Sequence, residues 1–356
     1  MLGQRLKSLT RAGDTTARVG GDEFAVMLEV VSEPAEVARV AERVLGAIAE
    51  PIELDGHRFV AEASIGIALG DDAQALLKQA DAAMYRAKSQ HDLGYAFFDP
   101  ELDHAALVRF RRIGELAEAI ERREFRVHYQ PIVALPSGEV TGYEALLRWE
   151  HPELGQLPPL EFIPLAEESG LIVPIGRWIL QEACVHASRN AGPDGSGPEV
   201  SVNVSARQLQ HPDFVDHVDA ALQRAGLPPQ RLVLEITESV LVETGDAAEL
   251  RIAALKDRGV GIALDDFGTG YGSLSYLQRL PIDIVKIDRT FTANVDTDSG
   301  HEALLRAIVG LGTALGTRLV AEGIERQSQS EVIHTLGCKS AQGFHFGRPE
   351  AAGPTF

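Results

Sequence analysis

Eight polar residues stand at or near the ends of successive apolar segments of the chain. They are Glu144, Asn203, Glu235, Asp265, Asp266, Lys286, Glu322 and Gln342. One acidic residue at such a position could simply cap a following helix. Several carboxylates brought together would raise one another's pKa values, and a hard divalent cation such as Mg²⁺ or Mn²⁺ would relieve that repulsion. The pattern therefore predicts a metal site.

The adjacent acids Asp265 and Asp266 are the most informative members of this set. Neighbouring side chains on a strand point to opposite faces, but at a strand end the backbone can turn so that both reach one rim. Two metal ions about 3.5–4 Å apart are a recurrent arrangement for phosphodiester hydrolysis. Lys286 could orient or deprotonate the attacking water, or stabilise the developing negative charge. The alternative for Lys286 is a salt bridge to Asp288.

A glycine-rich run follows the paired acids directly. It contains Phe267, Gly268, Thr269 and Gly270. Glycine permits backbone angles that other residues avoid, so the run predicts either a flexible turn or a loop that positions the metal site. Glu238 could accept hydrogen bonds from this loop and hold it.

Short apolar segments alternate with helical stretches from residue 124 onward. Eight of them have β-branched, nearly all-apolar interiors, which are typical of parallel strands covered by helices. The alternation predicts an α/β fold, a TIM-type (β/α)8 barrel, whose strand ends share one face. The polar residues would converge on that face. The predicted strands are 125–133, 140–149, 200–205, 231–237, 261–267, 283–288, 318–324 and 340–346.

The front of the chain predicts a smaller α+β unit. A Gly20-Gly21 pair followed by alternating apolar residues from Phe24 indicates a hairpin. Residues 101–123 are rich in Ala, Leu, Glu and Arg and predict a connecting helix. The expected division is therefore a partial N-terminal domain at 1–100, this helix, and the barrel at 124–356.

Composition excludes several classes of protein. The 356 residues include 52 acidic and 33 basic side chains, giving a formal charge of −19. Such a chain is a poor binder of duplex nucleic acid, whose phosphates need Lys and Arg. Two cysteines exclude a disulfide scaffold. No apolar run approaches the roughly 18–20 residues of a membrane span, and no signal-peptide core is visible, so a cytoplasmic location is expected.

The motifs of residues 124–349 occur in a distinctive order. They are Tyr129-Gln130-Pro131, Glu144-Ala145-Leu146-Leu147-Arg148-Trp149, Asn203-Val204-Ser205, Glu235-Ile236-Thr237-Glu238-Ser239, Asp265-Asp266-Phe267-Gly268-Thr269-Gly270, Lys286-Ile287-Asp288, Glu322-Gly323-Ile324-Glu325 and Gln342-Gly343. In these residues the chain closely resembles the EAL domain family of cyclic di-GMP phosphodiesterases. The resemblance extends over the full ordered set of motifs and not only over Glu144-Ala145-Leu146.

The resemblance implies two Mg²⁺ or Mn²⁺ ions as cofactors and a role for each motif. The first metal would be bound by Glu144, Asn203, Glu235 and Asp265, and the second by Asp265, Asp266 and Glu322. Lys286 would contact the catalytic water, so that Lys286, Glu322 and Glu144 form the catalytic group. The dinucleotide would be bound by Gln130, Arg148 and Gln342, with Glu325 and Asp288 supporting the site. Coupling to a homodimer interface would involve Glu238, Phe267, Gly268, Thr269 and Gly270.

A second resemblance lies in the front of the chain. Gly20-Gly21-Asp22-Glu23-Phe24 is similar to the signature of GGDEF diguanylate cyclase domains, and the Arg11 to Asp14 segment matches that family's inhibitory product-binding site. The family's first strand and its metal-binding aspartate have no counterpart in the nineteen residues before Gly20. The N-terminal half of that domain is therefore expected to be missing, and cyclase activity is not expected.

The expected function is hydrolysis of cyclic di-GMP to linear pGpG in bacterial second-messenger signalling. One alternative is a catalytically silent receptor that binds cyclic di-GMP; such proteins typically lose metal ligands or the loop motif, whereas this chain keeps both. Another is a different metal-dependent barrel enzyme, such as an enolase-like lyase with Lys286 as base. The glycine-rich loop after paired aspartates fits that enzyme class poorly.

Overall fold

The structure is a computed structural model. It describes residues 2–11, 13–31, 33–54, 57–89, 94–192, 195–268 and 279–351. The chain divides into two compact units, residues 1–114 and residues 115–356. Within the described residues, no helix is both long enough and apolar enough to cross a membrane.

The front unit is built from short elements. Strands β1 and β2 pair antiparallel around the turn at Gly21 and Asp22, which confirms the predicted hairpin. The other paired strands there are β3 with β4, antiparallel, and β5 with β6, parallel. The elements are α1 (Leu2–Leu9), β1 (Thr15–Gly20), β2 (Glu23–Met27), α2 (Pro34–Ala49), β3 (Ile52–Leu54), β4 (His57–Phe59), β5 (Ile65–Ile67), α3 (Ala73–Ser89) and β6 (Tyr95–Phe97).

A 23-residue helix, α4 (Pro100–Arg122), crosses the boundary between the two units. Its last turns belong to the second unit, where Leu116 and Ala119 are fully buried in the main apolar core. The helix is followed within three residues by the first strand of the barrel, β7 (Phe125–Ala134).

The second unit alternates strands and helices from β7 onward. After β7 its elements are β8 (Val140–His151), β9 (Gly155–Leu157), α5 (Pro159–Ser169), α6 (Ile172–Arg189), β10 (Glu199–Asn203), α7 (Ala206–Gln210), α8 (Phe214–Ala225), β11 (Leu232–Thr237), α9 (Glu238–Asp257), β12 (Gly261–Phe267), β13 (Ile284–Ile287), α10 (Arg289–Thr292), α11 (Ser299–Leu315), β14 (Arg318–Ala321), α12 (Gln327–Thr335), β15 (Ser340–Gln342) and β16 (Glu350–Ala351).

Eight strands close into a barrel, which confirms the predicted fold. The order is β7-β8-β10-β11-β12-β13-β14-β15, and β15 pairs with β7 to complete the circle. One feature departs from the expected all-parallel sheet, because β7 runs antiparallel to both neighbours, β8 and β15. The cause is the connection between β7 and β8, residues 135–139, since a parallel crossover needs a dozen residues or more.

The helices cover the outside of the barrel through apolar stripes. In α6, Ile172, Ile175, Ile179 and Ala183 recur at helical spacing and are buried. Left-handed glycines end several of the helices, for example Gly226 after α8 and Gly316 after α11. These stripes form one large core between the helices and the outer face of the sheet.

A separate apolar layer fills the inside of the barrel. It consists of Ile132, Val233, Ala263, Ile284 and Val320, all at least nine-tenths buried. Side chains two residues apart on a strand share a face. The residue two positions nearer the carboxyl end of each parallel strand therefore also points inward, one layer higher. The polar residues of the candidate site occupy that higher layer.

Candidate active site

The inward polar layer brings together the residues that the sequence singled out. Glu235 stands two residues after Val233, Asp265 two after Ala263, and Glu322 two after Val320. Lys286 follows Ile284 in the same way on β13, and Gln342 is the last residue of β15. Glu144 differs from expectation because it lies in the middle of β8, which continues to His151. Beyond Glu144, that strand pairs with β7 and with β9.

Lys286 lies at the centre of this layer and is almost fully buried, with 2% of its surface exposed. Its Nζ is 2.7 Å from Glu235 Oε2 and 2.7 Å from Glu322 Oε1. The same atom is 3.3 Å from Glu144 Oε2 and 3.4 Å from Asp265 Oδ1. Asp288, the alternative partner, is not among these four carboxylates. Instead its side chain accepts a hydrogen bond from Thr290 N at 2.9 Å and caps α10.

The backbone turns at the paired aspartates. Asp266 has a φ of 53°, in the left-handed region that few residues other than glycine adopt. The pairing of β12 with β13 shifts here, since Leu264 faces Val285 but Phe267 faces Ile287, as in a β-bulge. The backbone N–H of Asp266 donates to Asp265 Oδ1 at 3.0 Å.

As a result, both aspartates face the same space. Carboxylate oxygens of Asp265, Asp266 and Glu322 lie within 4.8 Å of one another, a spacing that suits a metal ion. These oxygen donors match the preference of Mg²⁺ and Mn²⁺. The turn at the strand end is what the adjacent pair of acids had predicted.

Amide side chains hold Glu144 from two directions. Asn203 Nδ2 donates to Glu144 Oε1 at 2.8 Å, and Gln342 Nε2 donates to Glu144 Oε2 at 2.6 Å. Gln342 Nε2 also donates to Gln130 Oε1 at 3.1 Å, while Gln130 Nε2 donates to the carbonyl of Gly347 at 3.1 Å. Gln342 Oε1 is buried and has no hydrogen-bond partner among the described residues. It therefore offers an acceptor inside the site.

Burial and mutual repulsion set the charges of the acidic residues. Burial raises the pKa of Glu322 to about 8, against the attraction of Lys286. Burial and the charge of Glu144 raise the pKa of Glu235 well above its usual range. Burial and the neighbouring Asp265 raise the pKa of Asp266.

Two members of the layer are held in their charged forms. Burial opposes ionisation of Glu144, but Lys286 and the hydrogen bonds from Gln342 and Asn203 outweigh it, so its pKa is lowered. Burial likewise disfavours the Lys286 ammonium, but the surrounding carboxylates outweigh it and raise its pKa well above normal. Lys286 is therefore a cation and a hydrogen-bond donor in this setting.

Arg148 lies on the same side of β8 as Glu144, four residues further toward the carboxyl end. It is half-buried, and its Nη1 donates to the carbonyl of Leu147 at 2.8 Å. Burial lowers the pKa of its guanidinium, partly offset by Glu144. Gln130 faces Glu144 directly across the antiparallel pair of β7 and β8. Gln130 is buried with both ends of its amide engaged, and Gln342 is buried too, so half-buried Arg148 is the most accessible of the three predicted substrate ligands.

The remaining predicted residues surround this centre. Glu238 is buried at the start of α9, one residue after the end of β11. Phe267 is buried in the core, and Gly268 has a φ of +94° beside the Phe291 ring. Thr269 and Gly270 lie outside the described residues. Glu325 is exposed, and its backbone N–H donates to Gln329 Oε1 at 2.9 Å.

The signature residues of the front unit do not form a comparable cluster. Gly20, Gly21, Asp22, Glu23 and Phe24 are exposed on the β1–β2 hairpin. The Arg11 guanidinium pairs with Glu36 at 2.9 Å, and Asp14 Oδ2 accepts a hydrogen bond from the backbone N–H of Arg11 at 2.8 Å. Arg11 and Asp14 thus both interact with groups inside the front unit.

One pair of rim residues had not been identified from the sequence. Phe344 follows the end of β15 by two residues, is 49% exposed, and carries the Arg348 guanidinium 4.4 Å from its ring centroid. Such a pair presents a flat face at the rim where the metal candidates converge. Its signal in the sequence is an aromatic residue directly after Gln342-Gly343, with an arginine four residues later.

Comparison with known proteins identifies the barrel. The family model of the EAL domain matches residues 113–349. The chain belongs to the EAL domain family. A second model, described as diguanylate cyclase, GGDEF domain, matches residues 1–92.

Several proteins share both regions of this EAL chain. It is 45% identical over 353 residues to the bifunctional diguanylate cyclase/cyclic di-GMP phosphodiesterase MucR of Pseudomonas aeruginosa, covering 98% of this chain and 51% of MucR. It is 36% identical over 355 residues to the cyclic di-GMP phosphodiesterase NbdA of the same organism, covering 98% of this chain and 45% of NbdA. The chain thus spans about half the length of these curated relatives.

Solved structures of EAL proteins are also similar to this chain. One, described as the PaMucR phosphodiesterase in complex with c-di-GMP, is 47% identical with a TM-score of 0.63, and the match covers 67% of this chain and 97% of that one. Another, the EAL enzyme Bd1971 with cAMP and cyclic di-GMP bound, is 31% identical with a TM-score of 0.67. That match covers 79% of this chain and 74% of the Bd1971 chain.

Proposed function

We propose that the barrel hydrolyses cyclic di-GMP to linear pGpG with two Mg²⁺ or Mn²⁺ ions. The observation that carries the proposal is the single polar layer in which Glu144, Glu235, Asp265 and Glu322 meet around Lys286. Membership of the EAL family and the names of MucR and NbdA support cyclic di-GMP as the substrate.

The donor set fits divalent metal ions. The oxygen spacing of Asp265, Asp266 and Glu322 suits one ion. The other ion would be bound by Glu144, Asn203, Glu235 and Asp265, as the resemblance to the EAL family implies. Asp265 would serve both. Ions held there would activate a water molecule near neutral pH and polarise the phosphoryl oxygens.

The protein's own residues would orient the reacting groups. Lys286, held protonated by the carboxylates, would donate a hydrogen bond to the attacking water or to a phosphoryl oxygen rather than act as a base. Asn203 and Gln342 fix the rotamer of Glu144 through its two oxygens. The free Oε1 of Gln342 could accept a hydrogen bond from the attacking water.

Recognition of the dinucleotide would fall to the cationic and aromatic groups of the rim. The Arg148 guanidinium can form paired hydrogen bonds with a phosphate. The exposed ring of Phe344 offers a face on which a base can stack. Binding of a small dinucleotide in this way is compatible with a net charge of −19, because the phosphates would be bound by metal ions and one arginine.

The decisive experiment is turnover of cyclic di-GMP by the purified chain with Mg²⁺ or Mn²⁺, with the product identified by liquid chromatography and mass spectrometry. We expect pGpG to accumulate and EDTA to stop its formation. Binding of cyclic di-GMP without any turnover would overturn the proposal in favour of a silent receptor. Turnover of linear dinucleotides alone would also contradict it.

Dimer formation is a further part of this proposal. Glu238 and the segment from Phe267 to Gly270 would link the site to the interface between two barrels. Light scattering coupled to size-exclusion chromatography measures the mass of the protein in solution. A monomer that hydrolyses the substrate at full rate would contradict the proposed coupling between the site and a dimer interface. Synthesis of cyclic di-GMP by the front unit is not proposed.

A further inference from the structure

Lys286 contacts more carboxylates than a hydrogen-bonding role toward one water molecule requires. Its two shortest ion pairs, both 2.7 Å, are with Glu235 on β11 and with Glu322, which directly follows β14. Glu235 is proposed for the first metal and Glu322 for the second. The ammonium therefore bridges the two halves of the proposed metal centre.

The layer contains more acidic groups than basic ones. Four carboxyl groups surround one ammonium, and Glu235 and Lys286 are 1% and 2% exposed, so water cannot solvate these two groups. Removing one partner from a buried ion pair leaves an uncompensated charge and is strongly destabilising. The carboxylates that hold Lys286 are also the oxygen donors offered to the metal ions, and positive charges packed together repel one another.

We propose that Lys286 is the internal cation of this carboxylate ring. It holds Glu144, Glu235, Asp265 and Glu322 together before divalent ions bind, and metal loading replaces part of its ion pairing. This inference rests on the two-metal site of the proposed function. A residue that served only the reacting water would contribute little to folding stability, so the two roles differ in a measurable way.

Thermal unfolding of the full chain tests the proposal with wild type and Lys286→Met, each in EDTA and in excess Mg²⁺. In EDTA we expect the variant's Tm to fall by roughly 10 °C because the carboxylates lose their counter-ion. At a Mg²⁺ concentration of about 100 times the wild-type Kd, the Mg²⁺-induced rise in Tm should be about one and a half times as large for the variant as for wild type. Calorimetric titration with Mg²⁺ should give a Kd about tenfold lower for the variant, because a nearby positive charge is gone.

Lys256→Met is the matched control. Lys256 Nζ donates to both oxygens of Asp283, at 2.6 and 2.7 Å, just before the start of β13 and away from the polar layer. Its loss should lower Tm by the same amount with and without Mg²⁺. The double variant Lys286→Met with Glu235→Gln removes the ammonium together with one of the carboxyl groups that it contacts. Its Tm in EDTA should lie above that of Lys286→Met alone.

Each outcome decides the matter. An unchanged or higher Tm of Lys286→Met in EDTA, or a Mg²⁺ shift no larger than that of wild type, overturns the proposal. If Lys286→Met folds in neither condition, recovery of folding in the double variant supports it and failure to recover overturns it. A wild type that responds to neither Mg²⁺ nor Mn²⁺ removes the two-metal site, while the EDTA comparison still decides whether Lys286 holds the ring. A metal response without turnover refutes only the proposed reaction.

Discussion

The two units of the chain carry similar acidic motifs in very different surroundings. In the front unit, Asp22 and Glu23 stand exposed on a hairpin. In the barrel, Glu235 is 1% exposed and lies 2.7 Å from a buried lysine. Residue type is therefore not what separates the two. In the barrel the carboxyl groups are buried close together and interact with one another, whereas the acidic side chains of the hairpin are exposed to solvent.

The sheets explain this contrast. Among the described residues, the front unit has three separate two-stranded sheets, whereas the barrel has one closed sheet with two added strands. Closure points one side chain from each strand toward a common axis, above the apolar layer of residues such as Ile132 and Val233. A two-stranded sheet has no enclosed interior.

Loss of a carboxylate from the barrel should have the largest effect. Glu144→Ala removes a proposed metal ligand together with the acceptor of two amide hydrogen bonds. We expect kcat for cyclic di-GMP to fall by about 10³-fold or more. Steady-state formation of pGpG measures this, and residual activity above one-tenth of wild type would show that the buried layer is not the catalytic centre.

Metal binding should stabilise the barrel through its paired aspartates. At a Mg²⁺ concentration of 100 times Kd, binding adds about 2.7 kcal/mol to the free energy of unfolding, or roughly 5–10 °C in Tm. Asp265→Asn should abolish most of this rise because Asp265 is proposed to serve both ions. An equal Mg²⁺ response in wild type and variant would place the ions elsewhere.

Arg148→Lys should weaken substrate binding without disturbing the metals. Lysine lacks the planar pair of donors that a phosphate engages, so KM should rise about tenfold while kcat stays within about threefold. Arg126 is the matched control, since it lies directly across from Arg148 on β7 and pairs with Glu150 at 3.0 Å. If Arg126→Lys changes KM as much as Arg148→Lys, the effect belongs to the strand pair and not to recognition.

The smallest effect is expected in the front unit. Asp22→Asn combined with Glu23→Gln changes two exposed side chains, and phosphodiesterase kcat and KM should stay within about twofold of wild type. The same kinetic assay tests it. A tenfold loss would mean that the hairpin acts on the barrel, and the contrast between the two units would no longer hold.

Much of the barrel layer could be predicted from the sequence because it follows a period of two. Val233 precedes Glu235, Ala263 precedes Asp265, and Val320 precedes Glu322, so each strand already pairs a core residue with a polar one. The adjacent aspartates also indicated a turn, which the left-handed backbone of Asp266 provides.

Other features depend on distances between strands that are far apart in the sequence. One such feature is the contact of Lys286 with four carboxyl groups, because no local sequence pattern predicts how close Glu144 and Glu322 lie to its ammonium. The amide relay from Gly347 through Gln130 and Gln342 to Glu144 is another. The reversed first strand was readable in principle from the short connection at residues 135–139, but the parallel pattern of the other strands obscured it.

The reversal of β7 decides where the chain enters the barrel. Phe125 pairs with Trp149 near the carboxyl end of β8, so the polypeptide arrives on the face of the candidate active site. Had β7 run parallel to its neighbours, the entrance would be on the opposite face.

The residues just before β7 also contact the carboxyl end of β8. Glu124 Oε2 accepts a hydrogen bond from Trp149 Nε1 at 3.0 Å, and Glu115 Oε2 lies 3.3 Å from His151 Nε2. A shift or rotation of the last turns of α4 would therefore displace the end of β8, the strand that carries both Glu144 and Arg148. The residues through which the chain enters the barrel therefore contact β8, the strand that also carries two residues of the candidate active site.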